Sequence, residues 1–138
     1  TERAVRVADL AHTQPVGHTK IDILIEELDR SPNKVDRTRA YILSQYFRDM
    51  QAALREMHRV LKPGQLCIIV VGDNIIRKRY IPTSEYLQEM ALSEQIGFEL
   101  VTYFFHQLRN VRLKVTRNKT GGKIKQERII VLRKSDNG

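Results

Sequence analysis

Three residues with hydrogen-bonding potential directly follow an unbroken apolar run at 66–71: Gly72, Asp73 and Asn74. Open α/β sheets bind their ligands outside the carboxyl ends of central strands, so a carboxylate and an amide at this place predict part of a polar pocket. The same residue types also favour tight turns. A purely structural turn is therefore the alternative interpretation.

The strongest charge signal is a basic segment. The chain has 24 Lys and Arg against 16 Asp and Glu, and residues 106–128 alone carry +7 because Glu127 is their single acid. This excess predicts a polyanionic partner, most simply nucleic acid, whose phosphates the Lys and Arg side chains would contact. A solvated hairpin tip is the alternative. With a second basic group near Gly72, the predicted nucleic-acid-binding residues are Arg77, Lys78, Arg79, Arg109, Arg112, Lys114, Arg117, Lys119, Lys123 and Lys125.

Other chemistries have little support. The four histidines, at positions 12, 18, 58 and 106, lack the spacing of a zinc site, and we expect no metal. The single cysteine, Cys67, lies in an apolar run, where burial would raise its pKa and suppress its reactivity. No apolar run approaches the roughly 20 residues of a membrane span, and no signal peptide is visible. We therefore expect a cytoplasmic protein with no membrane contact.

Hydrophobic periodicity indicates the elements that position these residues. The pattern predicts helices at 21–29, 36–61 and 84–96, and strands at 66–71, 98–108 and 127–133. The β-branched run at 66–71 is typical of a strand covered on both faces. A helical crossover makes the first two strands parallel in one sheet, and the basic segment joins the last two as an antiparallel hairpin. The sequence thus predicts an α/β domain.

Several short motifs carry a resemblance to a known family. They are Arg-Val-Leu-Lys-Pro-Gly at 59–64, Val-Val-Gly-Asp-Asn at 70–74, Ile-Pro-Thr at 81–83, Gly-Phe-Glu-Leu at 97–100 and Glu-Arg-Ile-Ile-Val at 127–131. Together they resemble the last third of site-specific DNA methyltransferases that modify the exocyclic amino groups of adenine or cytosine. Gln65 departs from the pattern, because the family usually has a second glycine there.

The resemblance implies a fold and a division of the chain. The expected fold is a partial Rossmann-like methyltransferase sheet, mostly parallel with a C-terminal antiparallel hairpin and with helices on its faces. Residues 1–35 would form a helical and loop segment, 36–134 the C-terminal half of the catalytic domain, and 135–138 a tail. Asp73 or Asn74 would then line or support the pocket for the target base.

The resemblance also implies what this chain lacks. The family recognises a flipped-out base with Asp, Asn or Ser followed by Pro-Pro-Tyr, and here all four prolines are isolated. No Gly-x-Gly loop for the cofactor follows any strand. S-adenosylmethionine would therefore bind only in the complete enzyme, and we expect no catalytic residues in this chain, which would be inactive as a fragment.

Two other functions remain open from sequence. One is a fragment of an RNA methyltransferase, whose sheet shares the same junction. The other is a non-catalytic module for nucleic-acid binding or assembly. If no strands precede it, the strand at 66–71 would expose an unpaired apolar edge, and such edges are prone to aggregation. We therefore expect either a missing amino-terminal half or a homodimer partner, in addition to DNA.

Overall fold

A computed structural model describes residues 13–76, 78–108 and 126–136. The chain divides into two compact units, residues 1–53 and 54–138. The elements are α1 (Thr19–Asp29), α2 (Lys34–Val60), β1 (Leu66–Gly72), β2 (Asn74–Ile76), β3 (Arg79–Ile81), α3 (Thr83–Leu92), β4 (Glu99–Gln107) and β5 (Gln126–Arg133). The domain boundary predicted between residues 35 and 36 stays a prediction.

Helices dominate the first unit. The predicted apolar stripe of α1 is confirmed, since Ile21, Leu24, Ile25 and Leu28 are all buried. Helix α2 begins two residues earlier than predicted because Asn33 caps it, its side-chain oxygen accepting the Val35 N–H at 2.8 Å. The hydrophobic periodicity that predicts α2 places Leu43, Phe47, Leu54 and Met57 on one core-facing stripe. The first three are buried, but Met57 is 39% exposed, so the prediction is wrong for Met57.

A tight turn at Gly64 links α2 to the sheet in the second unit. Gly64 has a φ of +80°, which favours glycine. Its N–H donates to the Lys134 carbonyl at 2.8 Å, and the Lys134 N–H donates to the Gln65 carbonyl at 3.0 Å. Within the described residues, positive φ outside glycine occurs at Lys78 alone, so position 65 does not require the second glycine of the family pattern.

The central sheet has three strands in the order β1-β5-β4. Strand β5 pairs antiparallel with both neighbours, and β1 and β4 therefore run in the same direction. This confirms the predicted α/β fold, the shared direction of the first two strands and the antiparallel hairpin that ends the domain. The last strand lies between the two that the helical crossover connects, so every hydrogen-bonded pair among the described strands is antiparallel.

The two faces of this sheet differ in cover. Cross-strand pairing places Val71, Arg128 and Phe105 on one face, where Gln88 of α3 bonds to Arg128 and where Ile130 and Leu132 are fully buried. We call the opposite face the open face, and its large apolar residues are Leu66, Ile68, Val70, Phe104, Ile129 and Val131.

The prediction that β1 is covered on both faces is wrong for the described chain. Leu66, Ile68 and Val70 are 51%, 61% and 56% exposed, so no described element of the second unit covers them. Cys67, on the other face, is half-buried, and burial raises the pKa of its thiol as predicted.

The structure between β1 and β4 differs from the prediction in two ways. The segment between the predicted strand at 66–71 and the predicted helix at 84–96, for which the sequence indicates no regular element, contains the β2–β3 hairpin, with Ile76 opposite Arg79. Helix α3 ends at Leu92 rather than near 96, because the Ser93 hydroxyl donates to the Met90 carbonyl at 2.7 Å and Ser93 has extended backbone angles. Gly97, at φ +92°, ends the following turn instead of the helix. Among the described residues, no helix has the length and apolarity needed to cross a membrane.

Candidate nucleic-acid interface

Asp73 connects the end of β1 to the start of α3. The first helical turn leaves backbone N–H groups without partners, and the N-cap residue, Pro82, supplies no side-chain hydrogen bond to them. Asp73, 11 residues earlier in the sequence than Ser84, takes that role, since its Oδ1 accepts a hydrogen bond from the Ser84 N–H at 2.8 Å. A carboxylate at a helix N-terminus also interacts favourably with the helix dipole. One oxygen of Asp73 is therefore used to hold α3 in place.

Asn74 makes a second link between the same segments. Its Nδ2 donates to the Thr83 Oγ1 at 3.0 Å, and Thr83 is fully buried. The structure thus gives both polar residues of the Gly72-Asp73-Asn74 motif a structural contact with α3. That they also line a base pocket stays a prediction.

Tyr80 on β3 completes this junction. Its hydroxyl donates a hydrogen bond to the Asp73 Oδ2, so both oxygens of that carboxylate have donors. The hydrogen bond to Asp73, with partial burial and the Asp73 charge, raises the pKa of Tyr80 to about 12, against an opposing effect of Arg128. The side chain remains 58% exposed. Tyr80 is therefore a neutral phenol at the surface, within electrostatic range of Arg128.

Arg128 lies over two neighbouring aromatic side chains on the face that α3 covers in part. Its guanidinium carbon is 4.8 Å from the Tyr103 ring centre and 4.9 Å from the Phe105 ring centre. The two rings meet edge to face, with centres 6.2 Å apart. Nη1 of Arg128 donates to Gln88 Oε1 at 2.9 Å. We call Tyr103, Phe105 and Arg128 the aromatic cluster.

Few of the predicted phosphate-binding residues lie in the described part of the chain. Lys78 and Arg79 do, and both are exposed in the β2–β3 hairpin that also carries Tyr80. The others lie outside the described residues: Arg77, Arg109, Arg112, Lys114, Arg117, Lys119, Lys123 and Lys125. Their role in binding nucleic acid stays a prediction.

The histidines of the described chain have ordinary surroundings. His18 caps α1, with Nδ1 accepting the Ile21 N–H. His58 packs edge to face on Phe98, with ring centres 4.9 Å apart, and His106 lies 3.9 Å from a Glu127 carboxylate oxygen. Over residues 13–76, 78–108 and 126–136, no group of three His, Cys, Asp or Glu side chains is arranged to hold a metal ion.

Comparison with known families gives a methyltransferase match. A family model described as Methyltransferase domain matches residues 2–69, which end within β1. No curated protein matches the chain in sequence.

A solved structure gives the same fold. This structure, a selenomethionine derivative of a protein named as a candidate DNA modification methylase from Thermus thermophilus, matches with a TM-score of 0.50 and 20% identity over 80% of this chain and 50% of that one. The fold is that of part of a methyltransferase domain. A structure of the same bacterial protein with S-adenosyl-L-methionine matches at 22% identity and a TM-score of 0.49, over 77% of this chain and 42% of that one. The chain thus spans about half the length of these matches.

The aromatic cluster was missed from sequence. The sequence predicts a strand at 98–108 but does not by itself indicate that the aromatic residues of this strand form a binding site. The one usable signal was the hairpin itself, because aligning the two strands back from the basic segment brings Arg128 opposite Phe105. Asp73 as a cap for α3 had no such signal, since it lies 11 residues from the N–H that it accepts.

Proposed function

We propose that this chain is the C-terminal half of an S-adenosylmethionine-dependent DNA methyltransferase domain that modifies an amino group of adenine or cytosine. The observation that carries the proposal is the three-stranded sheet in which the last strand lies antiparallel between two strands of common direction. The family match at residues 2–69 and the fold shared with the bacterial DNA modification methylase support it.

The residues of this chain do not fit a cofactor site by themselves. The polar groups at the end of β1, on Asp73 and Asn74, are engaged with α3 and Tyr80. The sequence has no Gly-x-Gly loop that would approach the methyl donor, and no Pro-Pro-Tyr motif. S-adenosylmethionine is therefore the methyl donor of the complete domain, and we derive no transfer step for this chain alone.

The open face supports a complementary half. Strand β1 pairs only with β5 in the described chain, so one edge of β1 is unpaired, and the adjacent face exposes Leu66, Ile68 and Val70. Exposed apolar edge strands favour pairing with another chain. Such a β-branched run suits a strand that is flanked on its edge and covered on both faces. The amino-terminal half of the same domain would supply the missing strand and the cover.

Calorimetry with S-adenosylmethionine tests this assignment. We expect no heat of binding from this chain, and a micromolar site in a longer polypeptide that joins the region encoded upstream of Thr1 to it. The longer polypeptide should also transfer a tritiated methyl group to DNA. A micromolar site in this chain alone, or a longer polypeptide that binds no donor, would overturn the proposal.

The same experiment separates the RNA alternative. An RNA methyltransferase would transfer the labelled methyl group to RNA and leave duplex DNA unlabelled. A non-catalytic module would label neither. We favour DNA because the matched structures are those of a candidate DNA modification methylase.

A further inference from the structure

The aromatic cluster includes two residues of β4, the edge strand of the described sheet, which exposes several large apolar side chains. Every residue of β4 is exposed, and Tyr103 and Phe105 are each 45% exposed although both are large. Alternation along the strand puts these two rings on one face and Phe104 on the other. Tyr103 and Phe105 therefore present neighbouring rings to solvent on the same face.

Arg128 organises these rings. Its guanidinium lies over both of them, and the bond from Nη1 to Gln88 fixes it to α3. Arg128 is partly buried, and its Nε has no hydrogen-bond partner. Cation–π contacts of this kind stabilise a ring pair without covering all of it. The rings are therefore held in place before any ligand arrives, which lowers the entropic cost of binding.

The geometry points to a stacking surface for unpaired bases: Tyr103 and Phe105, held by Arg128, bind a single-stranded or locally opened nucleic-acid strand. Aromatic rings combined with cationic side chains are the usual means of holding single strands, because every base has a face on which to stack. This inference rests on the proposed function for its ligand class, and it adds the residues that would contact bases beside the target.

Connectivity favours nucleic acid over an apolar protein partner. The chain between β4 and β5 leaves the sheet two residues after Phe105 and returns two residues before Arg128. Residues 109–125, which lie in that connection, contain seven Lys and Arg and no Asp or Glu. A polycation joined directly to both strands raises the local concentration of phosphates and repels cationic protein surfaces, whereas a purely apolar protein surface offers its charges no partner.

Absence of tryptophan from the sequence allows a direct test. In the variant Tyr103→Trp, the indole is the sole tryptophan fluorophore of the full chain. We expect its emission to be quenched when single-stranded dT20 is added, and to respond less to the same length of duplex. The control Phe104→Trp, on the opposite face of the same strand, should not be quenched. Equal quenching of both indoles, or of neither, would overturn the inference.

Affinity measurements give an independent readout. Fluorescence anisotropy with labelled dT20 should show about 5- to 150-fold weaker binding for Phe105→Leu, and a similar loss for Tyr103→Leu, since these are the typical effects of removing one stacking ring. Phe104→Leu should bind like wild type. The salt dependence should keep its slope in all three, because no charge is removed. Wild-type affinity in both cluster variants would contradict stacking.

Conservative variants distinguish loss of stacking from loss of folding as the cause of weaker binding. Phe105→Tyr and Tyr103→Phe keep the rings, so both should keep their affinity for dT20, and circular dichroism on every variant would confirm folding. Labelled rU20 in place of dT20 shows whether RNA binds as well. These measurements need no methyl donor. If the longer polypeptide fails to methylate while Phe105→Leu still weakens dT20 binding, the proposed function fails and the stacking surface stands; the opposite pattern removes only the stacking surface.

Discussion

The two faces of the three-stranded sheet expose apolar residues of different chemistry. On the open face, β1 contributes the aliphatic side chains Leu66, Ile68 and Val70 beside an edge that is unpaired in the described residues, and β4 adds a single ring, Phe104. On the other face, β4 contributes aromatic rings that pack around Arg128. Aliphatic side chains stabilise a complex only through their burial away from water. Aromatic rings beside a cation can also stack on the planar bases of an anionic strand. One face therefore suits protein, and the other suits nucleic acid.

The largest expected effect concerns the open face. In the longer polypeptide that carries both halves, Ile68→Lys would bury an unpaired charge at the junction, so we expect methyl transfer to fall by about 100-fold or more, in line with an uncompensated buried charge. The thermal melting of the present chain alone should change little, because Ile68 is 61% exposed there.

Gln65→Lys is the matched control for that variant. It adds the same charge at an exposed residue directly before β1. Methyl transfer should be retained. Full activity in Ile68→Lys would mean that the open face is not the junction between the halves.

A second change removes positive charge from the basic segment, which would bind phosphates near the aromatic cluster. Replacing Lys119, Lys123 and Lys125 with Ala should weaken dT20 binding at low salt by about 10-fold or more and reduce the slope of log K against log salt by about 2, at roughly 0.7 per lost phosphate contact on a single strand. The cluster variants should lower affinity at constant slope. An unchanged slope in the triple variant would remove the basic segment from the interface.

A third change tests the junction at the end of β1. Asp73→Ala removes the distant cap of α3, and caps typically contribute about 0.5–2 kcal/mol, so the free energy of unfolding should fall by about 1 kcal/mol in urea denaturation. Asp73→Asn should lose less, since its side-chain oxygen can still accept the Ser84 N–H. A stability of Asp73→Ala equal to that of wild type would show that this bond does not stabilise α3.

The smallest effect is spectroscopic. The pKa of Tyr80, raised to about 12 from the ordinary 10.0, means that the folded chain keeps this proton to higher pH than the unfolded chain. Its contribution to stability is therefore complete below pH 10 and is lost as the pH rises through about 12. At about pH 11, between these two values, absorbance at about 295 nm should show more tyrosinate in Asp73→Asn than in wild type. Equal absorbance would contradict the Asp73–Tyr80 bond.

Features that depend on residues close together in the sequence could be predicted, whereas features that depend on distant residues could not. Local signals were sufficient for α1, whose apolar stripe and caps lie within a few residues, and for the turn at Gly64. The apolar run of β1 correctly predicted a strand. It could not reveal that β1 side chains on one face are exposed in the described part of the chain, because composition indicates the burial for which a strand is suited and not whether its cover is present.

Long-range contacts were beyond reach. The Asp73 cap on Ser84 and the Arg128 bond to Gln88 join residues 11 and 40 positions apart. The bulge between Leu100 and Thr102 changes the register of β4, so the face of each ring could not be counted from the start of the strand. The basic excess was visible from composition, whereas the rings beside it became a candidate site only once the register was known.

Amide hydrogen exchange on β1 tests the division between the two faces most directly. In the chain alone, the β1 amides that do not bond to β5 should exchange rapidly, and addition of dT20 should not slow them. In the longer polypeptide with both halves they should become strongly protected, as amides of an inner strand are. Protection of these amides by dT20, or by self-association of the present chain, would contradict the assignment of the open face to an amino-terminal half.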